Sequence, residues 1–286
     1  MDATLILVTG AGRSGTSTAA GALHHLGLSV PGPHLAANES NPRGFFESAW
    51  TVRFHNRVLK HAVVATADVR PEARALAHAV AGPRRRARLA QWLAEVTAGA
   101  PVSVVKDPRA TWLLPLWARA CSDADLRLTH LVMVRHPAEV VGSRGTHYAS
   151  GSEKLGAQRY ARRNLAGWIN AMLVTEQDTA ARPRAFVNYD DLLADWRTTL
   201  SRAADALGVT LPEDPTAAAA VDAFVDPGLQ RHQSRFTDLD HLALPDALVS
   251  LAEEVYAGCA ALAEGRSGDL APLREQYAAL APTLDL

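Results

Sequence analysis

The sequence predicts an α/β fold, a central parallel sheet flanked by helices, and three observations carry that expectation. A buried apolar run, Leu5-Ile6-Leu7-Val8, passes through a glycine loop into a helical segment from Thr18 to Leu26. Two further apolar runs, Pro101 to Val105 and Leu128 to Val134, end in the polar groups Lys106-Asp107-Pro108-Arg109 and Arg135-His136-Pro137. Continuous apolar runs of this length are strands buried on both faces, the habit of parallel sheets. Such sheets bind ligands beyond the C-terminal ends of their strands, which is where both polar groups fall.

The loop decides what is bound. A strand, a tight glycine turn and a helix start direct backbone N–H groups and a positive helix end at an anion. Gly10, Gly15, Thr16 and Ser17 have the spacing of the nucleotide-phosphate loop G-x-x-x-x-G-K-[ST], with Thr16 where the lysine stands. That lysine serves the terminal phosphates of a nucleoside triphosphate, so its replacement argues against ordinary ATP or GTP chemistry. Arg13 offers a planar fork of donors in the same loop.

Composition narrows the classes. The 286 residues suffice for a single large α/β domain over 1–286, and no linker-like run divides them. With 29 basic and 30 acidic residues the net charge is −1, so no global field favours nucleic acid or an anionic membrane. Cys121 and Cys259 form neither a disulfide framework nor a metal motif, and they point to a reducing compartment. No signal peptide pattern precedes the first strand and no apolar run reaches membrane-spanning length, so a soluble, cytoplasmic protein is expected. Abundant alanine and a preference for arginine over lysine correlate with a high-GC bacterial source.

The remaining elements follow in order. The first helix stops at Gly27, and adjacent His24 and His25 face different sides of it, so they do not chelate one metal as an i,i+4 pair. Residues 31–47 are rich in turn formers, yet Phe45-Phe46 predicts an ordered, functional loop. A helix from Ser48 to about Lys60 carries Trp50, Phe54, Val58 and Leu59 as an apolar stripe. Two helical pieces between Pro71 and Ala98 break at Gly82-Pro83, and Arg84-Arg85-Arg86 with Arg88 reads as a solvated face. A short helix is expected from Thr111 to Ala120, a long one from Glu153 to Thr179, a fourth strand over Arg184 to Tyr189, and two closing helices between Leu244 and Leu280. Trp112 and Trp117 read as core, while Tyr160 is placed to line a cleft. Ser143 lies about two helical turns beyond Arg135, close enough for the pair to clamp one phosphate.

Gly12-Arg13-Ser14-Gly15-Thr16-Ser17 resembles the 5′-phosphosulfate loop of sulfotransferases that use phosphoadenosine phosphosulfate (PAPS). Val134-Arg135-His136-Pro137 through Gly142-Ser143-Arg144 resembles the family's second motif, which implies that Arg135 and Ser143 take the 3′-phosphate. The fold implied is the phosphate-loop NTPase-like sheet of that family. Lys106 in Val105-Lys106-Asp107-Pro108 is similar in kind to the leaving-group lysine of tyrosylprotein sulfotransferases, with Arg13 assisting. The family presents a glutamate or histidine base after the loop, which implies Glu47, then His55, Glu39 and His34. Pro227 to Arg235, with Arg231 and Arg235, is a polar, basic segment between helical regions: an exposed basic loop, or, as its position in the family implies, a lid over cofactor or substrate.

The likeness is closest to bacterial and Golgi-type carbohydrate or tyrosyl sulfotransferases. The loop and the C-terminal Arg-Lys-Gly of the cytosolic aryl type do not occur. PAPS as donor, PAP as product, no metal, and a hydroxyl on a small molecule, natural product or glycoconjugate as acceptor are implied. Asp107 is the one residue placed for a metal-holding part. A phosphate-loop small-molecule kinase and a non-catalytic nucleotide-binding module are the alternatives, set apart by a need for magnesium and ATP or by PAP binding without transfer.

Overall fold

The computed structural model describes residues 3–39, 41–147, 156–226, 228 and 234–286. Strands β1 (Thr4–Thr9), β2 (Val102–Lys106), β3 (Arg127–Val134) and β4 (Arg184–Asn188) form one parallel sheet in the order β2-β1-β3-β4. β1 lies second, with Val8 opposite Lys106 on one side and Leu131 on the other. Each strand pair is parallel, as the apolar runs predict.

The strands feed two cores by alternation, since successive side chains point to opposite faces. Leu5 and Leu7 enter one apolar cluster with Val105, Val132 and Phe186, whereas Ile6 and Val8 enter the other with Val104, Met133 and Val187. All four β1 residues are essentially inaccessible to solvent, each burial stabilising by about 1.5–3 kcal/mol. A sheet covered on both sides has no polar face to alternate with, hence the continuous apolar runs.

Helices pack on both faces and in the connections. They are α1 (Thr16–His25), α2 (Ala49–Ala62), α3 (Ala73–Val80), α4 (Pro83–Val96), α5 (Leu114–Asp123) and α6 (Pro137–His147). After them come α7 (Ala157–Thr179), α8 (Tyr189–Ala194), α9 (Trp196–Leu207), α10 (Pro215–Phe224), α11 (Asp246–Ala263) and α12 (Ala271–Leu280). Ser48 caps α2 by accepting from the Trp50 amide, and Pro83 opens α4 at the expected break.

Several boundaries differ from expectation. α1 starts at Thr16, because Gly15 in the left-handed region closes the loop and the chain turns helical at once. The segment expected as one helix from Thr111 is a 3-10 turn over Pro108–Leu113 followed by α5, with Asp107 capping the turn through the Arg109 amide. β4 stops at Asn188, whose side chain caps α8, so Tyr189 is helical. α7 begins at Ala157, and the expected start at Glu153 lies outside the described residues.

Between β1 and α2 the chain makes a looped excursion over 33–48. It closes on itself where the Leu35 amide donates to the Glu47 carbonyl (2.9 Å) and the Ala49 amide to the Pro33 carbonyl (2.8 Å). This returns Glu47 to the C-terminal edge of the sheet.

Candidate active site

The ends of β1, β2 and β3, the loop after β1 and the 33–48 excursion enclose a cavity of about 830 Å³. Its wall includes Gly12, Arg13, Gly15, Thr16, Ser17, Glu47, Arg109, Arg135, Ser143, Arg144, Tyr160, Arg163, Asn164 and Tyr189. Sequence alone supplies the loop, Glu47, Arg135 and Ser143; the fold brings them together.

Close approach shapes the loop. A Cβ at Gly10 would lie 2.6 Å from the Met133 carbonyl oxygen, and one at Gly15 would lie 2.1 Å from Cδ2 of Tyr189. Both residues have φ in the left-handed region, 125° and 86°. Arg13 also has a positive φ of 74°, a strained setting for a residue with a Cβ, and this points its side chain along the cavity wall. Among the described residues no side chain caps the N-terminus of α1, and its first residues, Thr16 to Thr18, line the cavity.

Three arginines surround this turn. Arg13 Nε donates to Ser143 Oγ (3.1 Å), and Arg135 Nη1 donates to the Arg13 carbonyl (3.3 Å). Arg144 donates to the Gly12 carbonyl (3.3 Å) and to Asn164 Oδ1 (3.0 Å). The Arg135 guanidinium stacks 4.8 Å over the Tyr189 ring and pairs with Glu139 at 2.7 Å. Burial raises the Glu139 carboxyl, against the lowering effect of Arg135. Arg13 thus touches both Ser143 and Arg135, and all three line the cavity.

The second half of the site is a chain of buried charge. Lys106 Nζ, at the end of β2, donates to Glu47 Oε1 (2.6 Å) and to Ser17 Oγ (3.0 Å). Arg109 Nη1 donates to Glu47 Oε2 (3.1 Å) and to Asp107 Oδ1 (2.8 Å). Burial alone would raise the Asp107 carboxyl, but its contacts with His55 and Arg109 outweigh that and hold it at about 2. Glu47 and Lys106 are 5% and 2% exposed, so their pairing is largely shielded from water.

The other candidates lie in and around this cavity as follows. His55 is fully buried and both ring nitrogens are engaged, Nδ1 with Asp107 Oδ2 (2.8 Å) and Nε2 as acceptor from the Trp117 indole (3.0 Å). It is absent from the cavity wall and has no free nitrogen for a substrate proton. Arg235 is also off that wall: it is exposed and opens the 3-10 turn Phe236–Leu242 with its amide donating to Asp238 Oδ2. Arg231 lies outside the described residues. Glu39 and His34 are exposed and off the wall, so Glu47 is the base candidate that faces the cavity. Asp107 is inside the protein with both oxygens occupied by His55 and Arg109, which does not suit a metal ligand. Ser14 is wholly buried behind the loop, its hydroxyl without a hydrogen-bond partner among the described residues.

Arg144, Arg163, Asn164 and Tyr189 also line the cavity, and the sequence alone gives none of them a role there. Arg144 follows Ser143 directly and was the detectable one. Asn164 and Arg163 carry no motif and reach the wall only because α7 crosses the site.

An anionic nucleotide fits these groups. The α1 N-terminus, the guanidinium groups of Arg13, Arg135 and Arg144 around the loop, and the buried Asn164 Nδ2, which has no partner among the described residues, gather positive charge and N–H donors at one end of the cavity. Fold and site together define a parallel α/β protein with a glycine-bearing loop between β1 and α1 at the mouth of its cavity. The sulfotransferase family model matches residues 6–213, and the chain belongs to that family.

Solved structures similar in outline include a sulfotransferase domain from the curacin biosynthetic pathway, at 18% identity and TM-score 0.48, covering 90% of this chain and 97% of that one. Sulfotransferase STF1 from Mycobacterium tuberculosis H37Rv is 17% identical with TM-score 0.46, over 90% of this chain and 77% of that one. A sulfotransferase domain of the Synechococcus PCC 7002 olefin synthase is 17% identical with TM-score 0.44, over 99% and 95%. No curated protein matches the chain significantly.

Proposed function

We propose that this sulfotransferase moves a sulfuryl group from PAPS to a hydroxyl of a small molecule, natural product or glycoconjugate, acting as one unit over 1–286. The observation that carries the reading is the contact of Lys106 with both Ser17 and Glu47, which joins a cation, a carboxylate and the phosphate loop within 3.0 Å contacts. The donor, when bound, supplies an activated sulfur whose bond to the phosphate oxygen breaks as its bond to the acceptor oxygen forms.

The chain's residues have separate tasks in this account. Gly12 to Ser17 and Arg13 hold the 5′ end through amides, hydroxyls and the guanidinium. Arg135 and Ser143 hold the 3′-phosphate. Lys106 meets the negative charge that grows on the departing oxygen. Glu47, the carboxylate on the wall among the described residues, receives the acceptor's hydroxyl proton. Sulfuryl transfer handled this way asks for no metal. A cytoplasmic, bacterial setting agrees with two buried free thiols and the composition, and among the described residues no helix is long and apolar enough to cross a membrane.

The test is incubation with PAPS and a panel of hydroxylated acceptors in the presence of a chelator, following PAP release. PAP formation that depends on an acceptor and on Glu47 supports the reading. Transfer that requires magnesium and ATP, or PAP binding with no transfer to any acceptor, contradicts it.

A further inference from the structure

Asp107 and His55 are buried, ionisable and unused by the roles above, yet they are joined to Glu47 without a gap. The Trp117 indole can only donate, so His55 Nε2 must accept and the ring proton lies on Nδ1, facing Asp107 Oδ2 at 2.8 Å. Asp107 Oδ1 then accepts from the Arg109 amide (2.9 Å) and from Arg109 Nη1 (2.8 Å). The same Nη1 donates to Glu47 Oε2. Trp117 and His55 are 0% exposed, as is Asp107, so this brace is rigid core, and Arg109 is where it reaches the cavity.

We propose that His55 and Asp107 are positioning residues, which through Arg109 fix the carboxylate of Glu47 against Lys106. The inference rests on Glu47 being the base. Without Asp107 the guanidinium has one carboxylate left and no interior anchor, and it is free to swing with Glu47. Without His55, Asp107 Oδ2 loses its buried donor and the orientation that gives Oδ1 to Arg109.

The test uses His55→Leu, His55→Asn and Asp107→Asn, each assayed by PAP titration, by PAP release from PAPS with water as acceptor, and by crystallography. Asparagine places an N–H where His55 Nδ1 stands, so His55→Asn retains the donor to Asp107. We expect PAP affinity within 2-fold of the parent for all three. PAP release should fall at least 10-fold in His55→Leu and Asp107→Asn and stay within about 3-fold in His55→Asn, with the Arg109–Glu47 contact broken only in the first two.

An intact Arg109–Glu47 contact in His55→Leu overturns the proposal, as does equal loss in His55→Leu and His55→Asn. Failure of the parent protein to bind PAP would instead remove the functional reading beneath it.

Discussion

Lys106 and Glu47 are buried together and each satisfies the other, so substituting one is felt by its partner. Lys106→Ala leaves Glu47 with Arg109 as its remaining ionic contact, and it removes the cation beside Ser17. Turnover should fall about 10²- to 10³-fold, the range for losing one donor to a developing anion, with PAP affinity changed only a few-fold. Single-turnover rates alongside a PAP titration check this; a variant with parent-like turnover would take Lys106 out of the chemistry. Arg135 needs a gentler change, because it is 7% exposed and paired with a buried Glu139. Arg135→Ala would strand that carboxylate, so Arg135→Gln is the informative variant. It should weaken PAP binding by about 10- to 100-fold, the loss of one charge-assisted contact. Unchanged affinity would contradict the 3′-phosphate role.

At the scale of elements, the 33–48 excursion is held on α1 by a slot above Gly21. A Cβ there would lie 2.3 Å from Phe224 Cζ and 2.7 Å from Phe46 Cε2, and the two rings meet edge to face at 5.6 Å. Phe46 has φ 52°, an unfavourable value for a bulky residue, and the next residue is Glu47. Gly21→Ala therefore has to displace the rings, at a cost of about 1–3 kcal/mol, and should lower turnover more than PAP affinity. Thermal melts with kinetics distinguish this from general unfolding; equal losses in both would deny the slot a role in placing Glu47. The strands and α1 to α4 were legible because buried runs, caps and Gly-Pro breaks are local signals. α10 was not, since Pro215–Phe224 is alanine-rich with Val221 its one buried residue, and it shows no apolar period. The family resemblance admits His55 as a base, and only the fold reveals that Asp107 and Trp117 occupy both of its ring nitrogens. Motifs point to the loop, Arg135 and Ser143 as cavity-lining residues and the resemblance to Glu47 among four candidates, whereas Arg163, Asn164 and Tyr189 reach the cavity through tertiary packing.

For the whole molecule, buried titratable groups set the response to pH. Burial, with Arg182 and Arg184 nearby, holds His130 on β3 down at about 3 against an ordinary 6.5. Below pH 6.5 the unfolded chain takes up a proton that the native protein refuses until about pH 3. This contribution is complete above pH 6.5 and is lost as pH falls through that window, by up to about 1.4 kcal/mol per unit. Denaturant titrations between pH 7.5 and 5 should show that slope in the parent protein and a shallower one in His130→Leu; identical slopes would refute it. Burial likewise pushes the Cys121 and Cys259 thiols up to about 12, so neither should react with an aromatic disulfide reagent at pH 8 until the protein is unfolded.

The central claim is that this cradle is built for PAPS chemistry, without the loop lysine that serves a nucleoside triphosphate. Calorimetric titration of the purified protein with PAP in chelator, and with ATP plus magnesium in parallel, tests it most directly. The account predicts tight, metal-independent PAP binding that Arg135→Gln weakens, and little affinity for ATP. Selective, magnesium-dependent ATP binding would contradict it.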